Sequence, residues 1–422
     1  DLHWADKSSL LLLQFLAGEI ADARVLLLAT YRDVEVSAGH PLGEVLPKLR
    51  RERTVDRILL RGLPDEDVFS LLVAMRGGEV PRTFADNLAR ETAGNPFFIR
   101  EILRHLLDEG VAVREGNRWE PLVDEQEIRL PESVREVVGR RLARLGDTCR
   151  KMLTLASVLG NEFSFEALER ASDGQTGLLA SIEEAIAARV LEEVPQSIGR
   201  YRFSHALVRE TLYEELGTVE RLRLHRLVAE ALERLYDRDP GPHLAELAHH
   251  FLEALPGGDA AKAVEYATRA GDRAVAEVAH DDATKLFGKA LQALGLAGSP
   301  DERRRCELLL KLGEAQWGAG GSRDPSEPFR QAAEIAERLK DGDLSARAAL
   351  GLGGPLVWIV NAERQYDFLD KALSMLEERD TPLRARVLSA LASRRFFRPA
   401  TEVHARPALE MARRLGDPST LG

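Results

Sequence analysis

The last two hundred residues of the chain repeat a pattern. The stretches "LFGKALQALG", "PFRQAAEIAERLKD", "LDKALSMLEERD" and "ARPALEMARRLGD" are each Ala-rich, helical in spacing, and end near a Gly or Asp. Ala290, Ala332, Ala372 and Ala408 mark the same position in each, at intervals of about 40 residues. The segment before each also has a helical pattern: "AAKAVEYATRAGDRAVAEV", "DERRRCELLLKLGEAQWGAG", "DLSARAALGLGGPLVWIV" and "PLRARVLSALASRRFF". A period of this length constrains the fold strongly. One helical pair cannot bury its apolar face alone, so the pairs must stack on one another. Small residues at the crossings let neighbouring backbones approach.

The period is a little above the 34 residues of tetratricopeptide (TPR) units. A TPR-like α-solenoid is therefore expected over 218–422, with a concave face suited to a protein partner or a small-molecule inducer. A plain helical bundle is the alternative. The last stretch, "ARRLGDPSTLG", carries no polar capping helix, so the array is expected to continue beyond it.

Composition excludes several functions. A net charge of −11 gives no global field for nucleic acid or anionic lipid. Two cysteines, Cys149 and Cys306, cannot form a disulfide framework or a Cys-based zinc site, and they suit a cytoplasmic location. No apolar run reaches membrane-spanning length. There is no nucleophile elbow and no H-E-x-x-H. His249 and His250 are adjacent and point to different helix faces, so no metal site is expected there.

The middle of the chain, 111–217, reads as a hairpin and a winged helix. "VAVREGNRWEP" alternates around Gly116-Asn117, a two-residue turn signal. Helices follow in "ESVREVVGRRLARLGDTCRKMLTLASVLG", "FSFEALERAS" and "GLLASIEEAIAARVL", and "VLEEVPQSIGRYRFSH" reads as two strands about a turn. The helix before that wing carries Glu183 and Glu184 and only Arg189 as a cation, which disfavours DNA phosphate. Arg135, Arg140, Arg141 and Arg144 form either a solvated face or an inter-domain contact.

The first 62 residues read as helix–strand–helix–strand. Val25–Ala29 is wholly apolar, as in a strand buried on both faces of a parallel sheet, and "VDRILLRGL" reads as a second strand. Thr30, Arg32 and Asp33 then stand at a strand's carboxyl end, where α/β sheets bind ligands. Arg32 can read a terminal phosphate by paired hydrogen bonds, or simply pair with Asp33. Over 63–110 the text is helical. In "TAGNPFF", Gly94, Asn95 and Pro96 suffice to end one helix and start another, while the Pro96 ring also suits packing against a base.

"DLHWAD", "LLLATYRD", "GLPDEDVFSLL" and "TAGNPFFIREILRHL" stand in this order with these gaps. Together they resemble the ATPase module of the STAND class of P-loop NTPases, above all the large bacterial LuxR-type regulators and the modules fused to nucleotide cyclases or kinases. The resemblance covers roughly the first half of the chain. It implies a truncated α/β NTPase core, a helical lid, a winged helix and a TPR-like array, mainly α overall. It implies that Asp1 is the second acid of Walker B, which polarises the attacking water, and that Thr30 and Arg32 form the sensor at the γ-phosphate. Gly94, Asn95 and Pro96 would match the G-x-P motif, whose Pro packs on adenine. His205, in "RFSHALVRETLYEEL", resembles the His that touches the β-phosphate of ADP. Ser204 and Ala206 depart from the Met-His-Asp form, and a His packed at a helix start explains the residue equally well.

The resemblance also implies ATP or ADP with Mg²⁺ as cofactor, and a nucleotide-dependent oligomer is compatible with it. No G-x-x-x-x-G-K-[ST] stands in the sequence. Gly288-Lys289-Ala290 fails the pattern at Ala283 and Ala290. The chain is thus expected to begin inside Walker B, as a fragment, and to hydrolyse no ATP by itself. The functional expectation is part of an ATP-binding signal-transduction or transcriptional regulator. The alternative is a non-catalytic TPR-like scaffold with a degenerate ATPase part.

Overall fold

The computed structural model describes residues 1–422 except 21–22, 33–35, 37–39, 53, 77–79, 109–111, 116–117, 122–133, 175, 299–300, 321–325, 354–361, 394–401 and 417–422. Twenty helices and five short strands stand among the described residues, so the mainly helical class holds. The chain divides into two compact units, Asp1–Thr54 with Tyr236–Gly422, and Val55–Leu235.

The first unit opens with α1 (Lys7–Glu19) and α2 (Pro41–Leu49). The Asp6 carboxylate caps α1, accepting from the Ser9 N–H at 2.9 Å and the Ser9 hydroxyl at 2.7 Å, and these bonds hold its pKa below the usual value. Leu10 and Ala17 are buried, as are Leu42, Val45 and Leu49 on α2. The expected parallel sheet does not form among the described residues. Neither Val25–Ala29 nor 55–63 pairs as a strand, and Leu26, Leu28 and Leu60 are 88 %, 87 % and 86 % exposed. An apolar run becomes a buried strand only when neighbouring strands satisfy its backbone groups and cover both its faces. Among the described residues no strand pairs with either run, and only Leu63, at the end of the second, has its N–H taken up by another segment, at the Gly94 carbonyl. Asp33 lies outside the described residues.

The unit Val55–Leu235 begins with α3 (Asp65–Arg76), α4 (Arg82–Thr92) and α5 (Pro96–Asp108). Their apolar faces share one core of Val68, Leu72, Phe84, Leu88, Ile99 and Ile102, which Val137 joins from α6 (Val134–Ala143). Between them β1 (Ala112–Glu115) and β2 (Arg118–Pro121) pair antiparallel, with Glu115 opposite Arg118. That register leaves two connecting residues, the Gly116-Asn117 of the sequence signal, which lie outside the described residues.

Next come α7 (Asp147–Leu159), β3 (Glu162–Ser164), α8 (Phe165–Ala171), α9 (Leu178–Ala187), β4 (Leu191–Glu193) and β5 (Arg200–Phe203). The sheet order is β3-β5-β4, all antiparallel, with β4 and β5 forming the expected hairpin. Glu184 on α9 accepts from the Gly146 backbone N–H at 2.7 Å, so one of its two acids faces the protein. Helices α10 (Ala206–Glu214) and α11 (Thr218–Leu235) close the unit.

The first unit resumes with α12 (Leu244–Glu253) and continues through α13 (Ala260–Ala276), α14 (His280–Leu296), α15 (Glu302–Ala319), α16 (Ser326–Leu339), α17 (Gly342–Gly353), α18 (Ala362–Met375), α19 (Pro382–Ser393) and α20 (Glu402–Leu415). Each helix packs on the next, as hairpins α13–α14, α15–α16, α17–α18 and α19–α20 that stack in series. The four marker alanines are buried, as the repeat requires. The crossings use glycine as expected. A Cβ on Gly271 would lie 2.5 Å from the Phe287 ring, and one on Gly313 would lie 2.6 Å from that of Phe329. The first helix of each pair is capped at the same period, by Asp259, Asp301, Asp341 and Thr381. Ion pairs such as Arg303–Asp341 at 2.7 Å and Lys371–Glu337 at 3.0 Å link successive repeats. Exposed pairs contribute about 0–1 kcal/mol each, so the buried aromatic–glycine crossings, not the charges, hold the array.

Candidate functional site

The seven residues expected at a nucleotide site divide between the two units. Asp1, Thr30 and Arg32 belong to one, and Gly94, Asn95, Pro96 and His205 to the other. Each group is described by itself.

In the first unit, the Thr30 hydroxyl donates to the Asp1 carboxylate at 3.3 Å, and the Leu2 N–H donates to the Thr30 carbonyl at 2.7 Å. Two residues far apart in sequence are therefore neighbours. Arg32 is exposed two residues on. Nearby, His40 caps α2. Its Nδ1 accepts from the Leu42 N–H at 3.1 Å, which places the ring proton on Nε2, and Nε2 donates to the His3 carbonyl at 3.0 Å.

In the second unit the turn before α5 is built by two glycines. Gly94 has φ +69°, and a Cβ there would lie 2.1 Å from the Leu63 carbonyl oxygen. Gly62 has equally little room, since its added Cβ would lie 1.9 Å from the Ala93 carbonyl oxygen. The Leu63 N–H donates to the Gly94 carbonyl at 2.8 Å, closing the contact between the two strands of chain. Asn95 caps α5, its side-chain oxygen accepting from the Phe97 N–H at 3.0 Å. Pro96 takes the first helical position with its ring exposed. The local explanation from sequence therefore holds in full, and the turn presents the Pro96 ring as well.

His205 caps α10. Its Nδ1 accepts from the Leu207 N–H at 3.1 Å, so the neutral ring carries its proton on Nε2 and donates there. The imidazole lies flat on the Phe97 ring, with centroids 3.8 Å apart and 16° between planes. The Arg100 guanidinium lies 5.8 Å from the centre of the same ring. The starts of α5 and α10 thus touch through the side chains of Phe97 and His205, and Phe97 directly follows Gly94, Asn95 and Pro96. Phe97 makes this junction, and sequence reasoning missed it. Its only signal was an aromatic directly after Gly-Asn-Pro.

One turn further along α5 stands Glu101, 2 % exposed. Its Oε1 accepts from Arg104 at 2.9 Å, and its Oε2 accepts from Arg141 on α6. Arg141 is itself buried, so of the four arginines on this stretch it makes a helix–helix contact within the unit and is not part of a solvated face. Arg140 pairs with Glu136 at 2.5 Å along its own helix and also lies 3.5 Å from His105 Nε2 on α5, and Arg144 is exposed. The Arg135 side chain lies outside the described residues. Burial, foremost, holds the Arg104 guanidinium below its ordinary pKa, with the like charges of Arg141 and Arg189 adding to this against the pull of Glu101.

No family model matches the sequence. An uncharacterized protein of Rhizobium meliloti (strain 1021) is 28 % identical over 370 residues, covering 80 % of this chain and 32 % of that protein. The chain thus spans about a third of the length of this relative. Among solved structures, a Signal Transduction ATPase with Numerous Domains (STAND) protein with a tetratricopeptide repeat sensor from Pyrococcus horikoshii aligns over 89 % of this chain and 57 % of its own. The identity is 17 % and the TM-score 0.29, a likeness too distant to carry function from one to the other.

Proposed function

We propose that the chain is part of an ATP- or ADP-binding signalling switch of the STAND class, in which nucleotide state controls what the helical array binds. The observation that carries this reading is the Phe97–His205 stack. It joins the turn whose Pro96 would face adenine to the imidazole whose Nε2–H would donate to the β-phosphate. Both α5 and α10 also begin there, and helix starts favour anions.

The residues fit the base and β-phosphate side of a nucleotide. They do not supply the remainder, because no phosphate-loop lysine motif stands in this sequence. In this reading the module over 134–217 is a winged helix that closes on the nucleotide. By the resemblance, Asp1 would orient water and Arg32 would contact a terminal phosphate, while the Thr30 hydroxyl holds the Asp1 carboxylate; the geometry that carries the reading is that of the Val55–Leu235 unit by itself. Mg²⁺, when bound with ATP, would neutralise phosphate charge.

The TPR-like array would take the protein partner or inducer, and the nucleotide would govern any oligomer. A cytoplasmic setting accords with two buried free thiols, and no helix among the described residues is long and apolar enough to cross a membrane.

The test is equilibrium binding of a fluorescent ADP analogue to the natural gene product that carries this sequence. Phe97→Ala and His205→Ala are each expected to weaken binding at least tenfold, with the circular dichroism spectrum unchanged. Wild-type affinity in both variants would remove this surface from any nucleotide site.

A further inference from the structure

Glu101 holds two arginines with two different oxygens. Arg104 lies on its own helix, three residues on, and Arg141 comes from α6. All three are wholly or largely buried, and Arg100, on the solvent side, reaches to 4.0 Å. A buried carboxylate that loses its only partner is strongly disfavoured. Glu101 has no such difficulty, because if α6 moves away, Arg104 stays with it. The departing Arg141 also leaves behind the repulsion between the two guanidiniums. The cost of parting α5 from α6 is thereby reduced at the one place where a buried charge would otherwise forbid it.

Phe97 and Glu101 are four residues apart on α5 and share a face. The helix therefore touches His205 with one residue and Arg141 with the next turn. Displacement of its first turn against His205 must shift Glu101 against Arg141.

We infer that Glu101 is a latch, holding α6 to α5 through Arg141 in one state and resting on its own helix's arginines, chiefly Arg104, in the other, with the Pro96–Phe97 turn biasing the choice. Glu101 here is a positioning residue. The inference rests on the nucleotide reading only for what would move the turn in the cell, and its test uses no nucleotide.

The test is amide hydrogen exchange over α6, at Val137, Val138 and Leu142, in the whole chain. Glu101→Gln removes the charge that holds Arg141, and exchange there is expected to rise at least tenfold relative to α7. Arg104→Met has the opposite effect. It leaves Glu101 with only the exposed Arg100 at 4.0 Å in the parted state and removes the Arg104–Arg141 repulsion in the joined one, so exchange over α6 is expected to fall at least threefold. Phe97→Ala frees the first turn and should raise α6 exchange without touching it directly. A pair that merely stabilised the fold would make Arg104→Met exchange faster. Faster or unchanged exchange in Arg104→Met overturns the latch, as does unchanged exchange in Glu101→Gln. If Glu101→Gln fails to fold, the Arg104→Met result alone decides.

Discussion

Gly313 sits mid-helix on α15, and alanine there should act in two opposed ways. Alanine favours the helix by about 1 kcal/mol over glycine. Against this, the added Cβ would stand 2.6, 2.7 and 2.8 Å from three atoms of the Phe329 ring. That ring is 1 % exposed and sits in a core with Leu309, Leu310 and Ile335, so it has nowhere to retreat. Overpacking of this kind costs about 1–3 kcal/mol. The net effect is a loss of up to about 2 kcal/mol.

Gly288 on α14 gives the matched control, because a Cβ there meets nothing within 4 Å. Gly288→Ala should gain about 1 kcal/mol. The propensity gain is common to both variants, so the difference between them, about 1–3 kcal/mol, measures the crossing alone. Urea unfolding followed by far-ultraviolet circular dichroism reads it. At about 2–3 kcal/mol per molar of urea, the two midpoints should part by roughly 0.3–1.5 M, with Gly288→Ala above wild type and Gly313→Ala at or below it. Replacing Phe329 by Leu in the Gly313→Ala background should recover part of the loss. If both alanine variants move the midpoint the same way by the same amount, the glycine–aromatic crossing does not set the spacing of the repeats.

Other outcomes follow from the same coordinates. Asp341 both caps α17 and accepts from Arg303, so Asp341→Ala should cost about 1–2 kcal/mol. Asp341→Asn keeps the cap and should stay within about 1 kcal/mol of wild type, since the exposed ion pair adds little; equal losses in the two variants would show that charge, not capping, matters. Burial pushes the Cys149 thiol up to about 12 and the Cys306 thiol up to about 11, from an ordinary value of 9.0. Neither should react with Ellman's reagent at pH 8 until the chain unfolds, when two thiols should appear. Because the folded values are raised, the thiols' contribution to stability is complete below pH 9 and is lost as the pH rises through 11 and 12. A chain no less stable at pH 10.5 than at pH 8 would contradict that burial.

What sequence alone determined was local or periodic. The 40-residue recurrence of alanine in helices ending near a Gly or Asp identified a stacked helical array, because the pattern follows from helix geometry within a few turns of chain. The Gly94-Asn95-Pro96 break and the hairpin about Gly116-Asn117 were legible for the same reason. A turn's conformation is set mainly by its own residues.

The tertiary structure decided what depends on distant neighbours. The runs Val25–Ala29 and 55–63 have the composition of buried strands, yet a strand exists only where another strand meets it, and none does among the described residues. Arg141 and Arg140 are adjacent arginines that sequence could not tell apart. Packing against α5 buries one on Glu101 and leaves the other exposed, paired with Glu136 and 3.5 Å from His105. Phe97 was one phenylalanine among fourteen until the fold laid it on His205. Local propensity fixes the elements, but burial and partnership arise only when residues a hundred positions apart come together, and chemistry is assigned at that stage.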